Sequence, residues 1–395
     1  MIYNRKNKYE KYCKSRLTNP AKCCKMLPNT AVLWSGGGCG HFLTEMSNLS
    51  PPIIHPPPSA LHEAPPAAPA GLPFAPPPTL PCPALCLARW PIGPSGPEGA
   101  GSLRLRGVAE PPAMPARALW APLLLSALAE DLGGGDRTAA AVLPAGLQLS
   151  ARVEARQELV VCGLCVAQAA FEALDPAVDF EALHRDGELV AAGALLARVR
   201  GPAHGVLAAE RTALNFLARL CGVATLTRRF VQAVAGTGAA IVDTRKTLPG
   251  WRALDKFAVA AGGGVNHRFG LYDGVLIKDN HAAAVGGVGA AVRAARAALP
   301  EAGIQAEVES EAEAQAALRA GADSLLFDNR SPRQLRELVA AFGGRARLEA
   351  SGGVNLANVR AVAESGVGRI SIGALTHSAP AADLALEVDA PGGPR

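Results

Sequence analysis

A parallel α/β sheet, open or closed into a barrel, is the fold class this sequence predicts beyond Gly236, and three observations predict it. Short apolar runs there alternate with alanine-rich stretches at intervals of about 20–30 residues, the rhythm of strand–helix units. Each run ends in a polar, charged or glycine residue, as strand ends do when they crowd round one mouth. Composition also separates this part from the start of the 395-residue chain, since residues 1–115 hold 22 of the 32 prolines and six of the nine cysteines.

Charge divides the same way. Residues 1–115 carry 11 Lys and Arg against five Asp and Glu, whereas the remainder carries 28 against 29. The overall net charge of +5 therefore belongs to the first segment, and the inference from a basic protein to a nucleic-acid partner fails for the globular part. Proline removes backbone donors and turns its predecessor away from helix. Residues 1–115, above all the run from Pro51 to Pro115, are therefore expected to be a disordered Pro-rich extension. Cys13, Cys23, Cys24, Cys39 and His41 match no paired zinc-ligand spacing, and the four cysteines read as unpaired thiols. No stretch reaches the roughly 18 continuous apolar residues of a membrane span. Met1 to Arg16 is polar and basic with no apolar run behind it, so a cytoplasmic protein is expected.

Order is expected from Ala116. Leu119, Trp120, Leu123, Leu124, Leu125 and Leu128 form an apolar helical face that stops at the Gly133-Gly134-Gly135 turn. Leu149 to Val161 alternates as a strand, and Val166 to Leu174 is an apolar helix entered through Cys162 and Cys165, both expected to be buried. Ala209 to Leu217 has a helical period. The later strands are expected at 239–242, 275–277, 304–308, 324–327, 346–348 and 370–372, with helices over 282–299, 311–320, 332–342 and 356–364.

The residues just past these strands carry the chemistry. Arg245, Lys246, His267, Arg268 and Lys278, joined by Arg211, make one side of the mouth basic, which calls for a ligand carrying several negative charges. Ser351-Gly352-Gly353 before a helix, and Gly373 before another, suit a phosphate cradled by backbone N–H groups. Glu307 and Asp328 end adjacent strands, where they could hold Mg²⁺, bond ribose hydroxyls, stabilise developing positive charge, or pair with Lys246 or Lys278. Glu309, two residues on from Glu307, is expected on the same face.

Taken together, Glu210-Arg211-Thr212-Ala213-Leu214-Asn215, Asp243-Thr244-Arg245-Lys246-Thr247-Leu248-Pro249-Gly250-Trp251-Arg252, Gly262-Gly263-Gly264-Val265-Asn266-His267-Arg268 and Leu276-Ile277-Lys278-Asp279-Asn280-His281 resemble the quinolinate phosphoribosyltransferases. Glu307-Val308-Glu309, Asp328-Asn329, Glu349-Ala350-Ser351-Gly352-Gly353 and Ile370 to Ser378 continue the likeness, which covers about 116 to 389 in one register. The resemblance implies an N-terminal α/β sandwich over 116–222, with 377–395 packing on it, and an incomplete α/β barrel of the type II phosphoribosyltransferase kind over 223–376. It implies phosphoribosyl transfer from phosphoribosyl pyrophosphate to quinolinate with decarboxylation, using Mg²⁺, in the synthesis of NAD. It also implies a homodimer with shared active sites, able to associate further into a hexamer, and no membrane or nucleic-acid partner.

By the same likeness, Arg245, His267, Arg268 and Lys278 surround the quinolinate carboxylates, and Arg211 enters from a neighbouring subunit. Lys246, Glu307 and Asp328 face ribose, pyrophosphate and metal, while Ser351, Gly352, Gly353 and Gly373 hold the 5′-phosphate. Lys246, Lys278, Glu307 and Asp328 are the expected catalytic set. The chain departs from the family pattern at Leu248, Trp251 and Asp255. Three other readings compete: a molybdenum-operon paralogue acting on another base, a Schiff-base aldolase using Lys278, and a Pro-rich interaction protein with a decayed barrel. The complete cation set speaks for the dianionic substrate.

Overall fold

The computed structural model describes residues 112–389. The expected Pro-rich extension up to Pro111, its cysteines and the last six residues of the chain lie outside the described residues. After a 3-10 turn at Arg117–Leu119, the apolar stripe expected from Leu119 becomes helix α1 (Ala121–Leu132), which buries Leu124 and Leu128. Helix α2 (Arg137–Val142) starts where the Asp136 carboxylate accepts the Ala139 N–H at 2.9 Å.

The expected strand over 149–161 is interrupted. Strand β1 (Gln148–Ala155) ends before the polar Arg156-Gln157-Glu158 bend, and β2 (Leu159–Val160) resumes as a separate two-residue strand. Helix α3 (Leu164–Leu174) buries one face, with Phe171 set 5.7 Å from Phe180 of β3 (Asp179–Ala182). Cys162 is buried as expected, but Cys165 is exposed on the first helical turn. Strands β4 (Leu189–Val190) and β5 (Leu195–Pro202) lead into α4 (Ala203–Ala233), a 31-residue helix that buries sixteen of its residues. Burial raises Cys221 on this helix to about 12, which marks it as an inert packing thiol.

The second layer is parallel. Strand β6 (Ala240–Val242) is followed by α5 (Arg252–Ala261), a helix not among those expected, although Ala253, Leu254, Phe257, Ala258 and Ala261 recur at helical spacing and are buried. Strand β7 (Val275–Ile277) leads to α6 (Asp279–Ala284) and α7 (Val288–Ala298). The single helix expected over 282–299 breaks between them because Gly286 and Gly287 adopt φ of +84° and +121°. Then come β8 (Ile304–Val308), α8 (Glu311–Arg319), β9 (Ser324–Asp328), α9 (Pro332–Phe342) and β10 (Arg347–Ser351). Ser310 caps α8, and Ser331 caps α9 in a capping box with Gln334. Helix α10 (Val359–Ala363), strand β11 (Arg369–Ser371), the short α11 (Ala374–His377) and strand β12 (Leu384–Val388) complete the chain.

Besides a two-stranded antiparallel pairing of β2 with β4, two large sheets organise these elements. One is antiparallel in the order β12-β1-β5-β3, so the C-terminal strand returns to the first sheet. The other is parallel in the order β6-β11-β10-β9-β8-β7, and its two edge strands are consecutive in sequence. They do not pair with each other. Val265 bridges to Val242 in the gap, so the barrel is incomplete and its opening is filled by the segment that carries His267 and Arg268. Helix α4 touches both layers; Gly222 on it lies so close to the Pro380 carbonyl that no side chain fits. Among the described residues, no helix is long and apolar enough to cross a membrane.

Candidate active site

The C-terminal ends of the parallel strands carry Arg245, Lys246, Lys278, Glu307, Asp328 and Ser351, while His267 and Arg268, on the segment that fills the gap, line a hollow with Gly274, Gln305, Ser324, Arg347 and Arg369 toward the starts of the strands. The loop after β6 is held from three directions. Thr376 Oγ1 donates to the Lys246 carbonyl at 2.9 Å, and the Leu248 N–H reaches Asp255 at 3.4 Å. Arg252 donates to Thr247 Oγ1 at 3.1 Å, to the Phe269 carbonyl at 3.2 Å and to the Arg245 carbonyl at 3.4 Å, tying this loop to the one after α5. Asp255 is itself buried against Arg219 of α4 at 3.0 Å. Trp251 stacks on Phe216 at 4.5 Å, packing toward the helix.

Arg245 emerges from this clamp with Nη1 buried and without any hydrogen-bond partner. A desolvated guanidinium N–H left unpaired is costly, so the group is set up to meet an acceptor brought from outside. Arg268 lies nearby and donates to the Gly274 carbonyl at 3.0 Å; burial first, and then the Arg245 charge, push its pKa down. Two guanidiniums held against their mutual repulsion form a receptor for an anion.

Beneath them sits Asp243, fully buried. It accepts from Lys256 Nζ at 2.6 Å and from the His267 N–H at 2.7 Å. Burial raises its pKa to about 6 despite the Lys256 charge, and burial likewise lowers Lys256. Asp243 directly follows β6, yet it is an internal anchor and not part of the rim: a residue with no exposure cannot touch a ligand in the mouth.

Lys278 and Glu307 pair at 3.4 Å across β7 and β8, one of the pairings the sequence left open. Asp328 ends β9 and accepts from Asn329 Nδ2 at 2.6 Å; Asn329 takes a left-handed φ of +54° and donates its N–H to the Ser351 carbonyl at 2.8 Å. Gly352 and Gly353 come next with φ of +83° and +63°, and a Cβ on Gly352 would lie 2.7 Å from Asp328 Oδ1. The turn therefore requires glycine both for its backbone and for its space. The helix expected to open directly from this turn begins only at Val359. An anion held here would be bound by loop N–H groups, without a helix terminus behind them. Gly373 faces Lys246, whose Cδ would be 2.9 Å from an added Cβ.

One expectation about the acidic residues changes. Glu309 does not share the mouth with Glu307: β8 stops at Val308, alternation ends there, and Glu309 lines an outer groove with Arg330 and Glu337. Arg211 is exposed on α4 and makes no side-chain hydrogen bond or ion pair among the described residues. Gln305 and Glu349 belong to the site although neither is among the residues expected to form it. Both are buried, and Gln305 joins His267 Nε2 at 3.0 Å to Glu349 Oε2 at 3.0 Å. The sequence does hold a signal for them, since each precedes an expected site residue, Glu307 or Ser351, by two positions and so faces the same side of its strand.

Comparison with known proteins finds one family over both parts of the described chain. The family model described as the N-terminal domain of quinolinate phosphoribosyl transferase matches residues 136–221, and the C-terminal domain model matches 223–387. A probable nicotinate-nucleotide pyrophosphorylase (carboxylating) of Bacillus subtilis is 41% identical over 261 residues, 66% of this chain and 90% of that protein. The Mycobacterium leprae nicotinate-nucleotide pyrophosphorylase is 44% identical over 268 residues, covering 66% and 94%. Among solved structures, the nicotinate-nucleotide pyrophosphorylase of Francisella tularensis superposes with a TM-score of 0.67 at 36% identity, covering 69% of this chain and 97% of that one.

Proposed function

The chain belongs to the quinolinate phosphoribosyltransferase family, and on that footing we propose how its residues perform the reaction. The enzyme transfers phosphoribose from phosphoribosyl pyrophosphate to quinolinate, forming nicotinate mononucleotide, pyrophosphate and CO₂ for NAD synthesis. The observation that carries the assignment of roles is the buried, unpartnered Arg245 Nη1 beside Arg268. Quinolinate is a dianion at neutral pH, and in this reading its adjacent carboxylates are matched by Arg245, Arg268 and Lys278, with His267 beside Arg268.

The reaction follows from that pose. The pyridine nitrogen forms a bond to C1′ as the C1′–pyrophosphate bond breaks, and the positive charge that develops on the sugar is stabilised by Glu307 and Asp328. Lys246 neutralises the departing pyrophosphate. The backbone N–H groups of Ser351, Gly352, Gly353 and Gly373 hold the 5′-phosphate. With its nitrogen alkylated, the ring accepts the electron pair released when the C2 carboxylate leaves as CO₂, and C2 then takes up a proton. Lys278 serves two partners, because the substrate carboxylate must compete for it with Glu307.

Mg²⁺ fits this site only in company with substrate. Among the described residues no group of three or more His, Cys, Asp or Glu could hold a metal, whereas Glu307 and Asp328 supply two carboxylates on adjacent strands. A magnesium ion satisfied by one or two carboxylates, waters and pyrophosphate oxygens suits that donor set, and it would supply charge neutralisation on the leaving group.

Arg211 completes the site from a second subunit in this proposal, which accounts for its exposed side chain with no hydrogen bond or ion pair among the described residues. Arg211→Ala and Lys278→Ala are each expected to be inactive alone. Mixed and allowed to exchange subunits, they should recover about a quarter of wild-type activity, since half the dimers are mixed and each holds one intact site. No recovery despite verified exchange would remove Arg211 from the site. Turnover of quinolinate, with nicotinate ignored, tests the dianion reading in the same assay.

A further inference from the structure

The His267 ring has both nitrogens engaged by the protein. Nδ1 accepts the Arg268 N–H at 2.8 Å, so it carries no proton. Nε2 must then be the protonated nitrogen, and it donates to Gln305 Oε1 at 3.0 Å. The Gln305 amide is oriented by Glu349, whose Oε2 accepts its Nε2–H at 3.0 Å; the other carboxylate oxygen, Oε1, is buried, has no hydrogen-bond partner and lies 3.6 Å from His267 Nε2. Glu349 is 1% exposed and lies on β10, two residues before Ser351.

We propose that Glu349, acting through Gln305, is a positioning residue that locks His267 with its proton on Nε2 and so fixes the adjoining Arg268 in its substrate-facing pose. This deepens the quinolinate reading and rests on it. If the amide of Gln305 were reversed, its nitrogen would face the Nε2–H and the ring would turn or change tautomer; the Glu349 carboxylate, which only accepts, forbids that reversal. Because the Arg268 N–H closes onto Nδ1, ring and main chain move as one unit, and the Arg268 guanidinium, held on the Gly274 carbonyl at 3.0 Å, extends from that fixed main chain. His267 is thereby a fixed neutral wall, and the charge that meets the substrate comes from the guanidinium and ammonium groups.

The charged groups around the ring are consistent with this. Glu349 faces it from β10 and favours the protonated ring. Lys256 of α5, which donates to the His267 carbonyl at 3.0 Å, and the following Arg268 both oppose protonation. Asp243, just past β6, is occupied with the His267 N–H, β8 presents the neutral Gln305 to the ring, and Arg347 of β10 and Arg369 of β11 line the same hollow and add positive charge there. Burial is the largest influence and lowers the pKa of the ring, in agreement with the geometry.

Nitrogen-15 spectra of histidine-labelled full-length protein, recorded without substrate, test the lock apart from catalysis. In the wild type at pH 7, His267 should show a bare Nδ1 and a protonated Nε2, and should remain neutral below the ordinary imidazole range. Glu349→Gln and Gln305→Leu should each produce mixed tautomers and raise KM for quinolinate about tenfold, the scale of one well-placed hydrogen bond. They should change kcat by less than about threefold, and the double variant should be no worse than either single one, because both act on one chain of bonds. A doubly protonated His267 at pH 7, wild-type tautomers in both variants, or additive kinetic losses would each overturn the proposal. If one variant fails to fold, the other carries the same readout. A correct tautomer in an enzyme that ignores quinolinate would leave the lock standing and defeat the substrate assignment instead.

Discussion

Arg245→Ala should lower kcat/KM for quinolinate by about 10²–10⁴-fold. The side chain offers the substrate two or more charge-assisted hydrogen bonds at about 1.5–3 kcal/mol each, and about 1.4 kcal/mol corresponds to a factor of ten. The loss should appear mainly in quinolinate kinetics, with KM for phosphoribosyl pyrophosphate changed by less than about threefold. Arg245→Lys should recover little, since a lysine keeps the charge and forfeits the planar fork. Stability should move the other way. The free enzyme carries a buried Nη1 with no partner, so removing it should leave the melting temperature unchanged or raise it. A large fall in both melting temperature and activity would recast Arg245 as a structural residue.

Lys256→Met should be the most destabilising single change among those named, by about 3–5 kcal/mol in a urea titration, because it leaves Asp243 buried without its cation. By contrast, Arg333→Ala breaks the exposed pair with Glu337 and should cost less than about 0.5 kcal/mol. Stability should also depend on pH with a definite sign. Asp243 is raised to about 6 in the fold, above the value of about 3.9 for an unfolded aspartate. The native state therefore keeps this proton longer, and its contribution to stability is greatest below about pH 4 and declines as pH rises through 4 to 6. Losing Lys256 pushes the same carboxyl further up, so the deficit of the variant should widen toward neutral pH. A deficit that shrinks as pH rises would contradict the arrangement around Asp243.

Features that are periodic or end-specific are legible from residue pattern. The six parallel strands lie within three residues of their expected bounds at each end, since buried strands are short apolar runs with abrupt ends. Helices α8 and α9 begin at their expected first residues, each behind a serine cap. Contacts between distant segments are not legible in this way. The Arg245 guanidinium is unpaired, the Asp243–Lys256 pair is sealed, and Gln305 connects His267 to Glu349, because three strands and the segment filling the barrel gap meet there. Linear spacing shows which residues face inward. It does not show which of them find partners. The break at Gly286-Gly287 has a different cause: glycine in an alanine-rich run is compatible with either helix or turn, and only the left-handed φ decides. Helix α10 starts late because Asn355 and Asn358 take up the backbone there, Asn355 Oδ1 accepting the Ala357 N–H at 2.9 Å and Asn358 Oδ1 the Asn355 N–H at 2.8 Å.

The most direct test of the central claim is product stoichiometry with quinolinate labelled in its C2 carboxylate, phosphoribosyl pyrophosphate and Mg²⁺, using the full-length chain. Labelled CO₂ and nicotinate mononucleotide should appear in equal amounts, with pyrophosphate matching both. Nucleotide formed from nicotinate while quinolinate is untouched, or a nucleotide that retains the label, would contradict the decarboxylating transfer.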